Sequence, residues 1–175
     1  GIFNTRTLDH DSAESQMLRE ISDRLLHVLQ HEQGVAHTEF IRSAADGKFY
    51  FLETAARVGG ANIDKMVRAA TDIELWAEAA RIELAVIKGA SYELPAHHQE
   101  YAGLITCLAR DQFPDLSPYN DPEIVWRLEK PYHAGLLLAS SQAQRIETLL
   151  KDYNHRFGRD FLHHLPGQKT VRTTI

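Results

Sequence analysis

An α+β fold, with an antiparallel sheet backed by helices, is predicted by two features of the sequence. Segments with apolar residues at helical spacing are interspersed with short runs rich in β-branched and aromatic residues. Two of those runs, 35–41 and 49–53, flank Ala45-Asp46-Gly47, a turn sequence that folds one strand back antiparallel on the next. Length and composition set the scale. A chain of 175 residues, 43% hydrophobic and 25% charged, has the proportions of one ordinary globular domain and not of a disordered or fibrous chain.

After a short extended start, Asp11 and Ser12 cap a helix whose Met17, Ile21, Leu25 and Val28 form an apolar stripe that ends before Gly34. The hairpin follows. Gly59-Gly60 breaks its second strand, a short helix begins near Asn62, and Thr71-Asp72-Ile73-Glu74 has the capping-box pattern of a further helix. Ile73, Trp76, Ala80, Leu84 and Ile87 form that helix's expected buried stripe, and Gly89 closes it. A loop over 90–98 carries Pro95, and a strand is expected over 101–109. Pro114, Pro118 and Pro122 then mark a turn-rich stretch. Two more strands, near 124–128 and 134–140, precede a last helix with Ser141 and Gln144 as its capping box and Ile146, Leu149, Leu150, Tyr153 and Phe157 as its apolar side.

Lys and Arg number 19 against 24 Asp and Glu, a net charge of −5, and no stretch gathers the basic face that nucleic-acid binding requires. No apolar run reaches the roughly 18 to 20 residues of a membrane span, and the amino end has no signal-peptide pattern. Neither nucleic acid nor membrane is an expected partner. The single cysteine, Cys107, lies beside Leu104, Ile105 and Leu108 and reads as a buried strand residue, which fits a reducing, cytoplasmic setting. The chain opens at Gly1 without an initiator Met, which suggests a processed product or a piece of something longer.

The hairpin register decides whether its acidic residues form a site, because a one-residue slip sends every side chain to the other face. A two-residue Asp46-Gly47 loop sets Ala45 opposite Lys48 and separates Glu39 from Glu53. A three-residue loop with Gly47 left-handed sets Ala44 opposite Lys48, which brings Glu39 opposite Glu53, His37 opposite Ala55 and Arg57 opposite Val35. Facing carboxylates, with Cβ atoms ~5 Å apart, repel unless a cation lies between them, and a hard cation such as Mg²⁺ takes one or two carboxylates while binding phosphates with its remaining positions. The competing reading is a solvated hairpin face with incidental charges. Downstream, Gly59-Gly60-Ala61-Asn62 leads into a helix start where free N–H groups favour an anion, or else the glycines serve only a sharp turn.

The string Gly34-Val35-Ala36-His37-Thr38-Glu39-Phe40, with Phe51-Leu52-Glu53-Thr54-Ala55-Ala56-Arg57-Val58-Gly59-Gly60-Ala61-Asn62-Ile63, resembles the C-terminal half of the ATP-grasp fold. In that family a Glu on one strand and Glu-x-Asn-x-Arg on the next close the nucleotide site of carboxylate–amine or carboxylate–thiol ligases. The resemblance implies that Glu39 and Glu53 hold Mg²⁺, with Mn²⁺ as an alternative, between ATP phosphates, and that Arg57 stabilises an acyl-phosphate intermediate. Ala55 stands where the family has its Asn ligand. The His-Thr-Glu triplet, the Glu-x-Ala-Ala-Arg run and the following Asn resemble the L-amino-acid ligase branch, which joins amino acids into dipeptides.

The resemblance runs from about Phe3 to the end, with catalytic strands and helices over about 1–90 and closing strands and a last helix over about 91–175. It implies ATP and small carboxylate and amine substrates. The register makes His37, opposite Ala55, a contact to a metal-bound water or to the substrate's carboxylate, or else a histidine bonded to backbone, and the helix start makes Gly59, Gly60 and Asn62 candidate substrate contacts. The family's amino-terminal half, with its Gly-rich loop and phosphate-binding lysines, is not in this sequence. The expectation is therefore part of an enzyme, inactive alone, that needs that half as partner, with homodimer formation left open. A reading from another class is a catalytically silent ATP-grasp-like binding or assembly domain, for which Ala55 is the sequence argument.

Other signals are weaker. His27 and His31 have the spacing of two ligands on one helix turn but no third partner, and read as a surface pair. The doublets His97-His98 and His163-His164 read as solvated. Trp76 and Trp126 read as core, and no Ser, His and Asp set suggests a hydrolase.

Overall fold

The computed structural model describes residues 1–162. In chain order the elements are β1 (Ile2–Arg6), α1 (Ala13–Val28), β2 (His37–Arg42), β3 (Phe49–Ala55), α2 (Ile63–Thr71), α3 (Leu75–Lys88), β4 (Tyr101–Leu108), β5 (Ile124–Arg127), β6 (His133–Ser140) and α4 (Ala143–Asp160). The fold is α+β, with antiparallel sheets backed by helices. The main sheet has the order β1-β4-β6-β5, and β2 with β3 forms a separate hairpin.

The central strands β4 and β6 are apolar at consecutive positions because both faces of the sheet are covered. Alternation sends Ile105, Cys107, Leu136 and Leu138 toward α4, where they meet Ile146, Leu149, Leu150, Tyr153 and Phe157. Ala102, Leu104 and Leu137 point the other way, onto Met66 and Ala70 of α2. Gly103 is needed for the α4 contact, since a Cβ there would lie 2.7 Å from Cγ2 of Ile146. The proline-rich stretch also contributes core: Leu116 and Tyr119 are buried, and the Tyr119 ring packs edge-to-face on Tyr153 and Phe157 while its hydroxyl donates to Asp160. Cys107 is buried, which pushes its thiol pKa up. Among the described residues no helix is long and apolar enough to cross a membrane.

Three helix expectations are corrected. Thr71 ends α2 instead of capping α3: its hydroxyl donates to the Val67 carbonyl and accepts from the Ile73 N–H, while Asp72, at φ 66°, closes the helix. The last helix starts at Ala143 with Gln142 at its cap, and Ser140, not Ser141, accepts from the Gln142 N–H. The stripe expected to be buried on α3 is turned outward, with Trp76 61% and Ile87 80% exposed. Its buried positions are Ile82 and Glu78, whose carboxylate is held by Arg81 and the Tyr92 hydroxyl. The α1 cap forms as expected, Ser12 Oγ accepting from the Ser15 N–H, yet none of that helix's apolar residues is fully buried and Val28 is 77% exposed.

Candidate functional site

The hairpin turn is built by polar side chains. Ser43 Oγ accepts from the backbone N–H groups of Ala45 and Asp46, and Asp46 accepts from the Lys48 N–H and the Tyr50 hydroxyl. Hydrogen bonding with Ser43, Lys48 and Tyr50 holds the Asp46 carboxyl below the usual carboxylate range. Gly47 is left-handed, at φ +70°, as its turn position requires. Ser43 and Lys48 close this turn, so four residues, 44–47, form the loop instead of the expected three.

That loop sets Arg42 opposite Phe49, Ile41 opposite Tyr50 and Phe40 opposite Phe51. Continued, the same register would place Glu39 opposite Leu52 and send Glu53 to the other face beside Thr38. A β-bulge intervenes: Leu52 has no partner, and beyond it Glu39 faces Glu53, Thr38 faces Thr54 and His37 faces Ala55. The Thr38 and Thr54 hydroxyls, 2.8 Å apart, bridge the strands on the opposite face. Glu39, Glu53 and His37 therefore share one face, and His37 Nδ1 lies 3.8 Å from a Glu39 carboxylate oxygen.

Behind the hairpin, His37 rests on Gly59. A Cβ at Gly59 would lie 2.9 Å from His37 Cδ2 and 3.4 Å from Ile63 Cγ2, so the missing side chain lets the imidazole approach the start of α2. Gly60 has open space around it. The reversal into α2 is made not by the glycines but by Ala61 and Asn62, left-handed at φ 54° and 62°. Asn62 makes no side-chain cap, and Asp64 puts a negative charge in the first turn, which counts against an anion there.

Arg57 is not on the ladder. β3 ends at Ala55 and β2 begins at His37, so the expected pairing of Arg57 with Val35 does not form. Its guanidinium donates to the Val58 carbonyl at 3.0 Å, and its side chain is exposed. Among the described residues no three His, Cys, Asp or Glu side chains gather closely enough to hold a metal. The hairpin therefore offers two carboxylates, hard oxygen donors suited to a cation that completes its shell with phosphate oxygens and water. Of the histidines, His27 is exposed, but His31 packs on Gly34 with its Nε2 buried and unpartnered, contrary to the surface pair expected. His97 and His98 are exposed, and His163-His164 lies outside the described residues.

No protein-family model matches the sequence, and no curated protein matches it. Solved structures do. The L-amino acid ligase from Bacillus licheniformis superposes with a TM-score of 0.63 at 16% identity, over 94% of this chain and 44% of that one. The chain has the fold of part of an ATP-grasp ligase. A second ATP-grasp structure, phosphoribosylglycinamide synthetase from Anaerococcus prevotii, matches with a TM-score of 0.57 at 12% identity, over 93% of this chain and 45% of that one. This chain thus spans less than half the length of either ATP-grasp chain.

Proposed function

We propose that the chain is the C-terminal portion of an ATP-dependent carboxylate–amine ligase of the amino-acid or peptide-forming type, and that its hairpin supplies the Mg²⁺ ligands of the nucleotide site. The observation that carries this reading is Glu39 opposite Glu53 on one hairpin face, in a chain of this fold. Glu39 and Glu53 would hold Mg²⁺, which when bound offsets the charge of the ATP phosphates. His37, 3.8 Å from Glu39 and seated on Gly59, would orient that carboxylate or meet the substrate's carboxylate beside Ala55. It is a poor direct ligand for a cation that prefers oxygen. Arg57, now turned to Val58, would swing toward the transferring phosphoryl group and stabilise the acyl phosphate that the amine then attacks. Gly60 and Asn62 border the same end of α2 and would contact substrate. The complementary half of the enzyme would bring the remaining phosphate-binding groups.

Titration of the chain with Mn²⁺, followed calorimetrically, tests the metal ligands. One site is expected, weakened about tenfold or more by Glu39→Gln or Glu53→Gln, since each removes one of two charged ligands. In the complete enzyme, Glu53→Gln should lower amino-acid-dependent ADP formation ~10²–10³-fold, as expected for loss of a well-placed electrostatic contact. Near-normal turnover in that variant would show the carboxylate to be structural.

A further inference from the structure

A second concave site lies along α2, and none of the hairpin residues lines it. It is a cleft of about 390 Å³ between α2 and the β5 edge of the main sheet. Its floor is Leu137, the β6 residue that points away from α4, together with Ala69 of α2. Trp126 of β5 forms the wall. Trp126, expected in the core, is half-buried: it packs on the Leu137 cluster and also lines the cleft.

The charges around this apolar interior are arranged unequally. Lys65, in the first turn of α2, holds its ammonium 5.4 Å from the centre of the Trp126 ring and makes no ion pair among the described residues. Arg68, one turn on, is taken by Glu74. Asp72 closes α2 and lines the far end, seven residues from Lys65 or ~10 Å along the helix axis at ~1.5 Å per residue, and His98, whose backbone N–H donates to the Thr71 carbonyl, lines the cleft beside it. The cleft therefore has a free cation beside its aromatic wall and a carboxylate at the opposite end. A lysine over an indole is a weak association. A carboxylate reaching Lys65 gains a charge-assisted hydrogen bond, the stronger class, and leaves the ring to whatever apolar group it carries.

We propose that this cleft binds a small monocarboxylate with an aromatic or branched apolar body, the body lying on Trp126 and Leu137 and the carboxylate on Lys65. Asp72 selects against a second negative charge at the other end. The assignment does not depend on the ligase reading, because binding here needs neither nucleotide nor metal.

The chain has two tryptophans, and Trp76 sits on the exposed side of α3, so Trp76→Phe leaves Trp126 as the only indole. This variant of the 175-residue chain is titrated with 3-phenylpropionate while tryptophan emission is followed. A saturable change is expected. The neutral analogue 3-phenylpropionamide and the dicarboxylate phenylsuccinate should each bind about tenfold or more weakly, the worth of one charge-assisted contact. Lys65→Met should weaken 3-phenylpropionate by a similar factor, with an unchanged melting temperature showing that the fold is intact. Equal binding of acid and amide overturns the proposal without reference to any variant at Lys65. So does the absence of saturation below ~10 mM, the region of marginal affinity, or an unaltered titration in a folded Lys65→Met protein.

Discussion

Glu39 faces Glu53 across the hairpin because Leu52, between Phe51 and Glu53, is left without a partner. The four-residue turn alone would put the two carboxylates on opposite faces, and the bulge restores them to one. Leu52 is itself exposed, so its apolar side chain does not hold the bulge in place. The bulge is bracketed by the Phe40–Phe51 edge-to-face contact on the turn side and by the Thr38–Thr54 hydroxyl bridge on the other.

Cysteine pairs test this register directly. Glu39→Cys with Glu53→Cys should oxidise to a disulfide, since facing residues on antiparallel strands have Cβ atoms within reach of that bond. Glu39→Cys with Leu52→Cys, the pair that the unbulged register would align, should not. The only native cysteine is buried, so gel mobility before and after reduction reports the engineered pair. The reverse outcome would place Glu53 on the Thr38 face and remove the basis of the metal proposal.

The contact between Gly59 and His37 predicts a compensating pair. Gly59→Ala forces a methyl against the imidazole and should destabilise the chain by ~1–3 kcal/mol, the range for overpacking. Adding His37→Ala makes room and should recover most of that loss. Chemical denaturation of the two single variants and the double variant checks the coupling. Additive effects would mean that the strain is released elsewhere.

Much of the fold was legible because the informative segments are governed by local chemistry. The α4 stripe from Ile146 to Phe157, the Ser12 cap and the left-handed Gly47 follow from spacing and side-chain type. The Glu39–Glu53 pairing is reached by a different route from the one expected: a three-residue bulged turn with a regular ladder beyond it aligns the same two residues as a four-residue turn followed by a bulge at Leu52. Ser43 and Asp46, both able to bond the turn backbone, were the signal for the longer loop. What misled was packing that propensity does not encode. Thr71 suits a helix start but is claimed by the Val67 carbonyl of the preceding helix. The apolar stripe of α3 was legible as a buried face, yet the chain puts Glu78 inward instead, because Tyr92 and Arg81 arrive to satisfy it. Arg57 matched a motif spacing, but the strand ends two residues before it.

The polar cluster around α4 predicts a stability plateau with two limbs. Arg145 holds the Glu123 carboxyl below the usual range, and Arg159, followed by Tyr119, does the same for Asp160. Carboxyls depressed in the folded state contribute stability that is present above their unfolded values, ~4 to 4.5, and is lost as pH falls through the folded ones. Tyr119 and Tyr153 shift the other way: burial, reinforced by Asp160 and Asp121, raises their hydroxyls. Their contribution is complete below ~10, the unfolded tyrosine value, and is lost as pH rises through the folded values. Urea midpoints measured against pH should fall at both ends. Glu123→Gln should flatten the acid limb and Tyr153→Phe the alkaline one.

The outward stripe of α3 predicts how the chain behaves by itself. Trp76, Leu84 and Ile87 recur on one side of the helix and are all exposed. Exposed large apolar side chains gathered on one helix face mark an interface or promote association. In the proposed enzyme the complementary half would cover it; in the isolated chain a second copy is the available substitute. Sedimentation should therefore show concentration-dependent self-association, and Trp76→Glu combined with Ile87→Glu should shift the population toward monomer. Because both side chains already lie in water, the double substitution should change unfolding free energy by less than ~1 kcal/mol, two exposed sites at roughly 0.5 each. Association that persists undiminished in the double variant would assign it to another surface, with the exposed Ile41, Tyr50 and Leu52 of the hairpin as the next residues to charge.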